Sequence, residues 1–185
     1  MQKILFVAHC LLNTASKVAR EPREGARQEE ELRIAVLKKA IDQGVQLVQL
    51  PCPEFTLYGA CRWGHVREQF DNTFFRAHSR NILEPIIREI QEYLAHPRRF
   101  EVLGIVGIDG SPSCGVSYTC RGAWGGELSR RADLQEVIST VQRAEGSGVF
   151  MEVLNELLHE ANIELPLVGL FAPERERVLS LLDFS

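Results

Sequence analysis

The 185-residue chain lacks any apolar run near the ~20 residues that a membrane-spanning helix needs. It also lacks a basic excess: the formal net charge is -4 and the arginines are scattered, so no nucleic-acid partner is predicted. The opening MQKILFVAHCLLN runs into polar sequence without a small-residue cleavage site. These absences predict a cytoplasmic protein that binds neither nucleic acid nor membrane.

The five cysteines lack the pattern of a disulfide framework or a zinc ribbon. Their number is odd, and no two of them form a CxxC pair. Each is therefore either a small buried residue or a ligand or nucleophile, and position must distinguish these uses. Hydrophobic residues make up 45% and charged residues 25%, which is typical of a globular protein. The length predicts one domain, residues 1–185.

Hydrophobic periodicity predicts four buried strands that alternate with amphipathic helices. The strands are predicted at residues 3–8, 45–50, 100–108 and 165–172. Helices are predicted from about 29 to 43, from 71 to 94 as one helix or two around Pro85, from 149 to 161, and from Pro173 onward. Residues 116–145 are predicted as a loop or short hairpin followed by a polar helix. The alternation predicts an α/β fold, with a single three-layer domain around a mostly parallel, doubly wound sheet of four to five strands.

Three of the cysteines follow predicted strands. Cys10, Cys52 and Cys114 each come at or just after the carboxyl end of a strand, whereas Cys61 and Cys120 do not. Doubly wound sheets place their sites beyond the carboxyl ends of strands, so we expect these three thiols to converge. Three thiols suit a soft metal and leave one coordination position for water or substrate.

The motifs around these cysteines resemble one family. HCLLN at 9–13, LPCPE at 50–54 and GSPSCG at 110–115 are followed by GSGVFMEVLNELL at 146–158. In that order they are similar to the domain-of-unknown-function 523 family, which includes the 2-thiouracil desulfidases, and the resemblance spans nearly the whole chain. It implies an iron–sulfur enzyme that removes sulfur from a thiolated small molecule and releases hydrogen sulfide.

The resemblance also implies a site. A 4Fe-4S cluster would be bound by Cys10, Cys52 and Cys114, and its fourth iron would take the thiocarbonyl sulfur of the substrate. Glu54 would be the base that takes a proton from the attacking water. Ser111 would be the second catalytic residue, in preference to Ser113.

Further substrate contacts are predicted at Ser113, Asn13 and Gly148. His9 and Asn13 depart from the family's common SACLLG pattern, in which a small residue and a glycine stand at these positions. These departures predict a divergent branch that acts on a thiouracil-like or other thiolated compound. The protein is expected to be a monomer or a homodimer.

Other uses of the same residues stay open at this stage. The three thiols could be buried core cysteines, or His9 could complete a zinc site, although neighbours in an extended segment point to opposite faces. Cys52 or Cys114 could be the nucleophile of a metal-free hydrolase or amidase beside Glu54. A bound cluster without catalysis would make the protein a redox or iron sensor.

Overall fold

Strands and helices alternate along the computed structural model, which describes residues 1–19, 25–127 and 129–184. The strands are β1 (Gln2–Val7), β2 (Gln46–Gln49), β3 (Phe100–Ile108), β4 (Tyr118–Arg121), β5 (Gln142–Glu145) and β6 (Leu167–Leu170). The α-helices are α1 (His9–Leu12), α2 (Ala26–Asp42), α3 (Pro53–Tyr58), α4 (Arg67–Phe70), α5 (Thr73–Ala95), α6 (Leu134–Ser139), α7 (Val149–Glu160) and α8 (Arg175–Leu179). Short 3-10 helices cover Thr14–Ser16, Ala172–Glu174 and Ser180–Leu182.

Four of these strands form one parallel sheet in the order β2-β1-β3-β6. The chain winds outward from β1 to β2 and then crosses to β3 and on to β6, so the direction of winding reverses between β1 and β3. In open α/β sheets this reversal leaves a crevice at the carboxyl ends of the two central strands. The predicted α/β fold with a mostly parallel sheet is confirmed, whereas the extent of the domain stays a prediction.

Helices cover both faces of this sheet because the side chains of β1 alternate between two cores. Ile4 and Phe6 pack in the core that includes residues of α5 and α7. Leu5 and Val7 pack in the core that includes residues of α2 and α8. Full burial of such a side chain contributes about 1.5–3 kcal/mol, which explains why this strand is an uninterrupted apolar run.

Helix α5 is continuous over 23 residues and includes Pro85. The sequence left open whether this region forms one helix or two, and the structure has one. A proline inside a helix removes a hydrogen bond and costs about 3 kcal/mol. Leu83, Ile87 and Ile90 of α5 are buried on its core-facing side, and their packing on both sides of the proline offsets that cost.

Strands β4 and β5 form a separate antiparallel ribbon, and α6 lies between them in the chain. The sequence predicted a loop or hairpin followed by a polar helix, so the order of these elements was wrong. The reason is the composition of β5, whose QRAE sequence has no alternating apolar pattern. None of the helices in the described ranges is both long and apolar enough to span a membrane.

Candidate functional site

The three cysteines that follow the strands lie at one edge of the sheet. Cys10 lies in α1 directly after β1, Cys52 is the N-cap of α3 after β2, and Cys114 lies in the turn after β3. The Cys114 thiol is close enough to interact electrostatically with Cys10, Cys52 and Glu54. Cys10 likewise interacts with Cys52 and Glu54. The structure therefore brings together the four residues, whose functions stay predictions.

A tight loop after β3, residues 109–116, holds Cys114. The Ile108 amide donates to the Cys114 carbonyl at 2.8 Å, and the Gly115 amide donates to the Ser111 carbonyl at 3.2 Å. The Ser111 hydroxyl oxygen accepts the Cys114 amide at 3.0 Å. Short polar side chains commonly satisfy backbone donors in such turns. We call residues 109–116 the Cys114 loop.

The N-terminus of α7 packs directly on the Cys114 loop. The Val149 amide donates to the Pro112 carbonyl at 3.1 Å and the Phe150 amide to the Ser113 carbonyl at 3.0 Å, so the loop satisfies donors that the helix leaves unpaired. A Cβ atom on Gly148 would stand 2.4 Å from the Ser113 carbonyl carbon. Only glycine permits this approach. The Gly148 amide itself donates to the Gly115 carbonyl at 2.9 Å, and its predicted substrate contact stays a prediction.

Asp109 fixes the return of the chain from the Cys114 loop into β4. Its side chain is 6% exposed, and Oδ1 accepts the amides of Val116, Ser117 and Tyr118 at 2.8, 2.9 and 3.2 Å. Its Oδ2 atom is buried without a hydrogen-bond partner among the described residues. Aspartate side chains commonly accept backbone amides of the residues that follow them in turns.

Glu54 lies in the first turn of α3 and is 9% exposed. Ser113 Oγ donates to Glu54 Oε1 at 2.6 Å, and Arg62 Nε donates to Glu54 Oε2 at 3.2 Å. The Arg62 side chain is 4% exposed and also donates to the carbonyls of Gly59 and Ser16 at 3.1 and 2.6 Å. A buried carboxylate needs such an opposite charge. Arg62 is thus an ion-pair partner that sequence reasoning missed.

Ser111 and Ser113 take different positions around this carboxylate. Their hydroxyl oxygens are 3.3 Å apart, and only Ser113 contacts Glu54 directly. Ser113 is buried, with its hydroxyl 3.5 Å from the Cys114 sulfur, whereas Ser111 is half-buried. A chain of hydrogen bonds therefore leads from Ser111 through Ser113 to Glu54. Which serine acts in catalysis stays a prediction.

Burial raises the pKa of all three thiols. It raises the pKa of Cys10 to about 11, against the lowering effect of Lys17 and with Cys52 and Glu54 adding to it. Burial also raises the pKa of Cys52, and complete burial raises the pKa of Cys114 well above its ordinary value. Without a cation these groups stay protonated thiols and are weak nucleophiles.

Three thiol groups lie near one another at this edge, and cysteine thiolates are the usual ligands of iron–sulfur clusters. In the described part of the chain, no three His, Cys, Asp or Glu side chains are arranged to hold one metal ion. A zinc ion needs all its donors within about 2.0–2.3 Å, which also argues against a site completed by His9. In a 4Fe-4S cluster each cysteine binds a different iron, so the thiols stand further apart.

Asn13 lies at the end of α1 and stabilises the short 3-10 helix that follows. Its Oδ1 accepts the Ala15 amide at 3.1 Å, and its carbonyl accepts the Ser16 hydroxyl at 2.8 Å. Arg62, the ion-pair partner of Glu54, donates to the Ser16 carbonyl of this same segment. Asn13 therefore stabilises the backbone that Arg62 binds. Its predicted substrate contact stays a prediction.

Comparison with known proteins gives three findings. The family described as "Putative 2-thiouracil desulfurase" matches residues 2–168, a range that includes every motif around the three cysteines. "Uncharacterized protein MJ0003" of Methanocaldococcus jannaschii is 33% identical over 116 residues, which cover 62% of this chain and 69% of that protein. No solved structure matches the chain significantly.

Proposed function

Because this chain belongs to the putative 2-thiouracil desulfurase family, we propose that it is an enzyme that removes sulfur from a thiolated small molecule. The contact of Ser113 with Glu54 beside three neighbouring thiols is the observation that carries the proposal. The reaction we propose is hydrolytic, with water as the source of the new oxygen. A thiocarbonyl and water give a carbonyl and hydrogen sulfide, without net oxidation or reduction.

Cys10, Cys52 and Cys114 would hold a 4Fe-4S cluster. Bound there, such a cluster would supply a Lewis acid that polarises the C=S bond. The chain contributes three thiols, and burial raises their pKa values, so that few of them ionise without a partner. A cationic partner would offset that burial and allow the three thiols to bind as thiolates.

Glu54 is the general base in this proposal. Ser113 and Arg62 each occupy one of its oxygens, which fixes the carboxylate and leaves further lone pairs for water. Water adds to the thiocarbonyl carbon and gives a proton to Glu54 as the C–O bond forms. The C=S π electrons move to sulfur as water adds; the hydroxyl oxygen then gives up its remaining proton as the C=O bond forms and the C–S bond breaks. That proton and the one held by Glu54 leave with sulfur as hydrogen sulfide.

The two serines have different roles in this proposal. Buried Ser113 orients Glu54 through its 2.6 Å hydrogen bond. Ser111 is half-buried, and its hydroxyl lies 3.3 Å from the Ser113 hydroxyl. Ser111 is therefore the serine that can donate a hydrogen bond to a ring nitrogen or relay a proton toward Glu54.

The test is anaerobic reconstitution with iron and sulfide, followed by a sulfide-release assay on 2-thiouracil, thiolated nucleosides and simple thioamides. We expect a brown protein that releases sulfide from at least one of them. A Cys52→Ala variant should lose both colour and activity. A protein that stays colourless and iron-free, or a brown protein that releases no sulfide from any compound, would contradict the proposal.

A metal-free cysteine hydrolase is the competing enzyme class, since Cys52 and Cys114 both lie near Glu54. Nucleophilic cysteines normally have lowered pKa values, whereas burial raises the pKa of both thiols here. Substrate-protected alkylation of an active, iron-free protein would favour the hydrolase. We propose a small-molecule thio-substrate as the partner, with a monomer or homodimer as the assembly.

A further inference from the structure

Four aromatic rings stack beside α3. Tyr58 stacks on His65 at 5.2 Å between ring centroids, and His65 stacks on Phe70 at 4.7 Å. Tyr58 and Phe70 are also nearly parallel at 6.1 Å, and Phe70 stacks on Phe75 at 4.3 Å. Phe70 and Phe75 are fully buried, so the group is anchored in a small core of its own. We call these four residues the ring group.

One face of Tyr58 carries no ring of this group. Stacked rings lie about 3.5 Å apart, so partners on opposite faces of Tyr58 would have centroids about 7 Å apart. The ring centroids of His65 and Phe70 are 4.7 Å apart, so these two rings do not lie on opposite faces of Tyr58. Among the described residues no other ring stacks on Tyr58, whose side chain is 43% exposed.

Tyr58 lies next to the proposed base. Glu54 and Tyr58 are four residues apart on α3, so they share one face of the helix and their side chains are neighbours. Burial raises the pKa of Tyr58, and the negative charge of Glu54 raises it further. Tyr58 therefore lies one helical turn from the proposed base.

We propose that Tyr58 is a substrate-binding residue whose open ring face stacks on the planar ring of the substrate. The inference rests on the proposed desulfurase function and adds a determinant of specificity to it. Every heterocyclic base has a π-face, whereas an open-chain thioamide presents little planar surface. Tyr58 thus selects thiolated aromatic heterocycles over open-chain thioamides.

The rings beneath Tyr58 make it a rigid support. Phe70 and Phe75 cannot move without opening their core, and His65 fills the space between α3 and α4. An exposed tyrosine without such support would lose side-chain entropy on binding the substrate. The ring group removes most of that cost before the substrate arrives.

The experiment compares Tyr58→Leu with Tyr58→Phe in the reconstituted enzyme. Sulfide release is measured with 2-thiouracil and with thioacetamide, and uracil binding is measured by calorimetry. The control is Phe74→Leu, because Phe74 is an exposed aromatic beside the buried end of the ring group but is not part of it. Circular dichroism verifies that each variant is folded.

Stacking energies predict that Tyr58→Leu raises KM for 2-thiouracil and Kd for uracil by about tenfold, with kcat changed by less than about threefold. Tyr58→Phe keeps the ring and should stay within about twofold of the wild type. Phe74→Leu should have no effect, and kcat/KM for thioacetamide should be unchanged in all variants. Equal losses for both substrates, or equal losses in Tyr58→Leu and Phe74→Leu, would overturn the proposal.

The uracil measurement distinguishes failure of the proposed desulfurase function from failure of the proposed role of Tyr58. If the wild type releases no sulfide from any compound, the proposed function fails, and the binding data alone decide the role of Tyr58. Uracil binding that weakens in Tyr58→Leu and persists in Tyr58→Phe would then still support the stacking surface. A wild type that binds neither uracil nor 2-thiouracil would overturn it.

Discussion

The Cys114 loop is held by backbone contacts to α7, whereas α3 and the segment after it, residues 53–66, place large side chains in solvent. Phe55, Leu57, Tyr58 and Trp63 are all exposed in that outer region. Ser113 and Cys114 of the loop are buried. The comparison teaches that one side of the site fixes Cys114, a proposed cluster ligand, and the orientation of Glu54, the proposed base. The other side is free to determine what binds.

Glu54 of α3 contacts Ser113 of the Cys114 loop and so connects the two regions. We therefore expect the largest effect on activity from Glu54→Gln. The variant keeps the shape but cannot accept a proton, and loss of general base catalysis should lower kcat by about 10²–10⁴-fold. Iron content and visible spectrum should match the wild type, because no thiol is changed. Sulfide-release kinetics on 2-thiouracil check this. Activity within about threefold of the wild type would remove Glu54 from the mechanism.

A smaller effect is expected from closing the gap between the Cys114 loop and α7. Gly148→Ala would place a methyl group 2.4 Å from the Ser113 carbonyl carbon and 2.9 Å from the Cys114 amide nitrogen. Backbone atoms cannot rotate away, so overpacking should lower the free energy of unfolding by about 1–3 kcal/mol. Chemical denaturation measures the loss.

Gly64→Ala in the outer region is the matched control for this variant. Nothing lies within 4 Å of the position that its Cβ would occupy, and its backbone has no positive φ. Its free energy of unfolding should change by less than about 0.5 kcal/mol. Equal losses in Gly148→Ala and Gly64→Ala would contradict the view that the loop is the rigid region.

The two serines of the Cys114 loop should differ in their effects on kcat and KM. Ser113→Ala removes the donor to Glu54 Oε1, and the loss of one hydrogen bond to a charged group should lower kcat by about tenfold, with KM nearly unchanged. Ser111→Ala removes the half-buried hydroxyl and should raise KM as well, if that hydroxyl meets the substrate. Steady-state kinetics distinguish the two patterns. Identical kinetics for both variants would argue against separate roles.

The smallest effect concerns pH and the ring group. Burial lowers the pKa of His65, and Glu54 opposes this only in part. The unfolded chain, with a histidine pKa of about 6.5, therefore binds a proton more readily than the folded chain. The stability that neutral His65 contributes is present above about pH 6.5 and is lost as pH falls toward its folded pKa. Urea unfolding of the wild type and His65→Phe, at about pH 7.5 and 5.5, should show a flatter dependence in the variant. Parallel curves would contradict it.

Sequence alone predicted the parts of the fold that depend on local periodicity. The apolar runs that became β1 and β3 are buried on both faces, and that burial is visible as an unbroken pattern. Strand β5 was missed because its residues are mostly exposed and satisfy only the pairing with β4. A pairing between two polar segments leaves no trace in hydrophobic periodicity.

The convergence of the three cysteines was predictable for a different reason. Parallel strands end at the same edge, so a residue that follows each strand has a known position. Arg62 follows no strand, and its contact with Glu54 depends on the path of the loop between α3 and α4. The hydrogen bond from Ser113 to Glu54 spans 59 residues and depends on how two turns meet. Such contacts require coordinates.

The backbone junction between Gly148 and the Cys114 loop has a practical consequence for redesign. Because main-chain atoms make this junction, replacing side chains elsewhere should leave the anchoring of Cys114, a proposed cluster ligand, intact. A mutagenesis library aimed at new thio-compounds can therefore randomise the solvent-facing positions of α3 while it leaves the glycine untouched. Catalytic chemistry and substrate choice can then be engineered as separate modules.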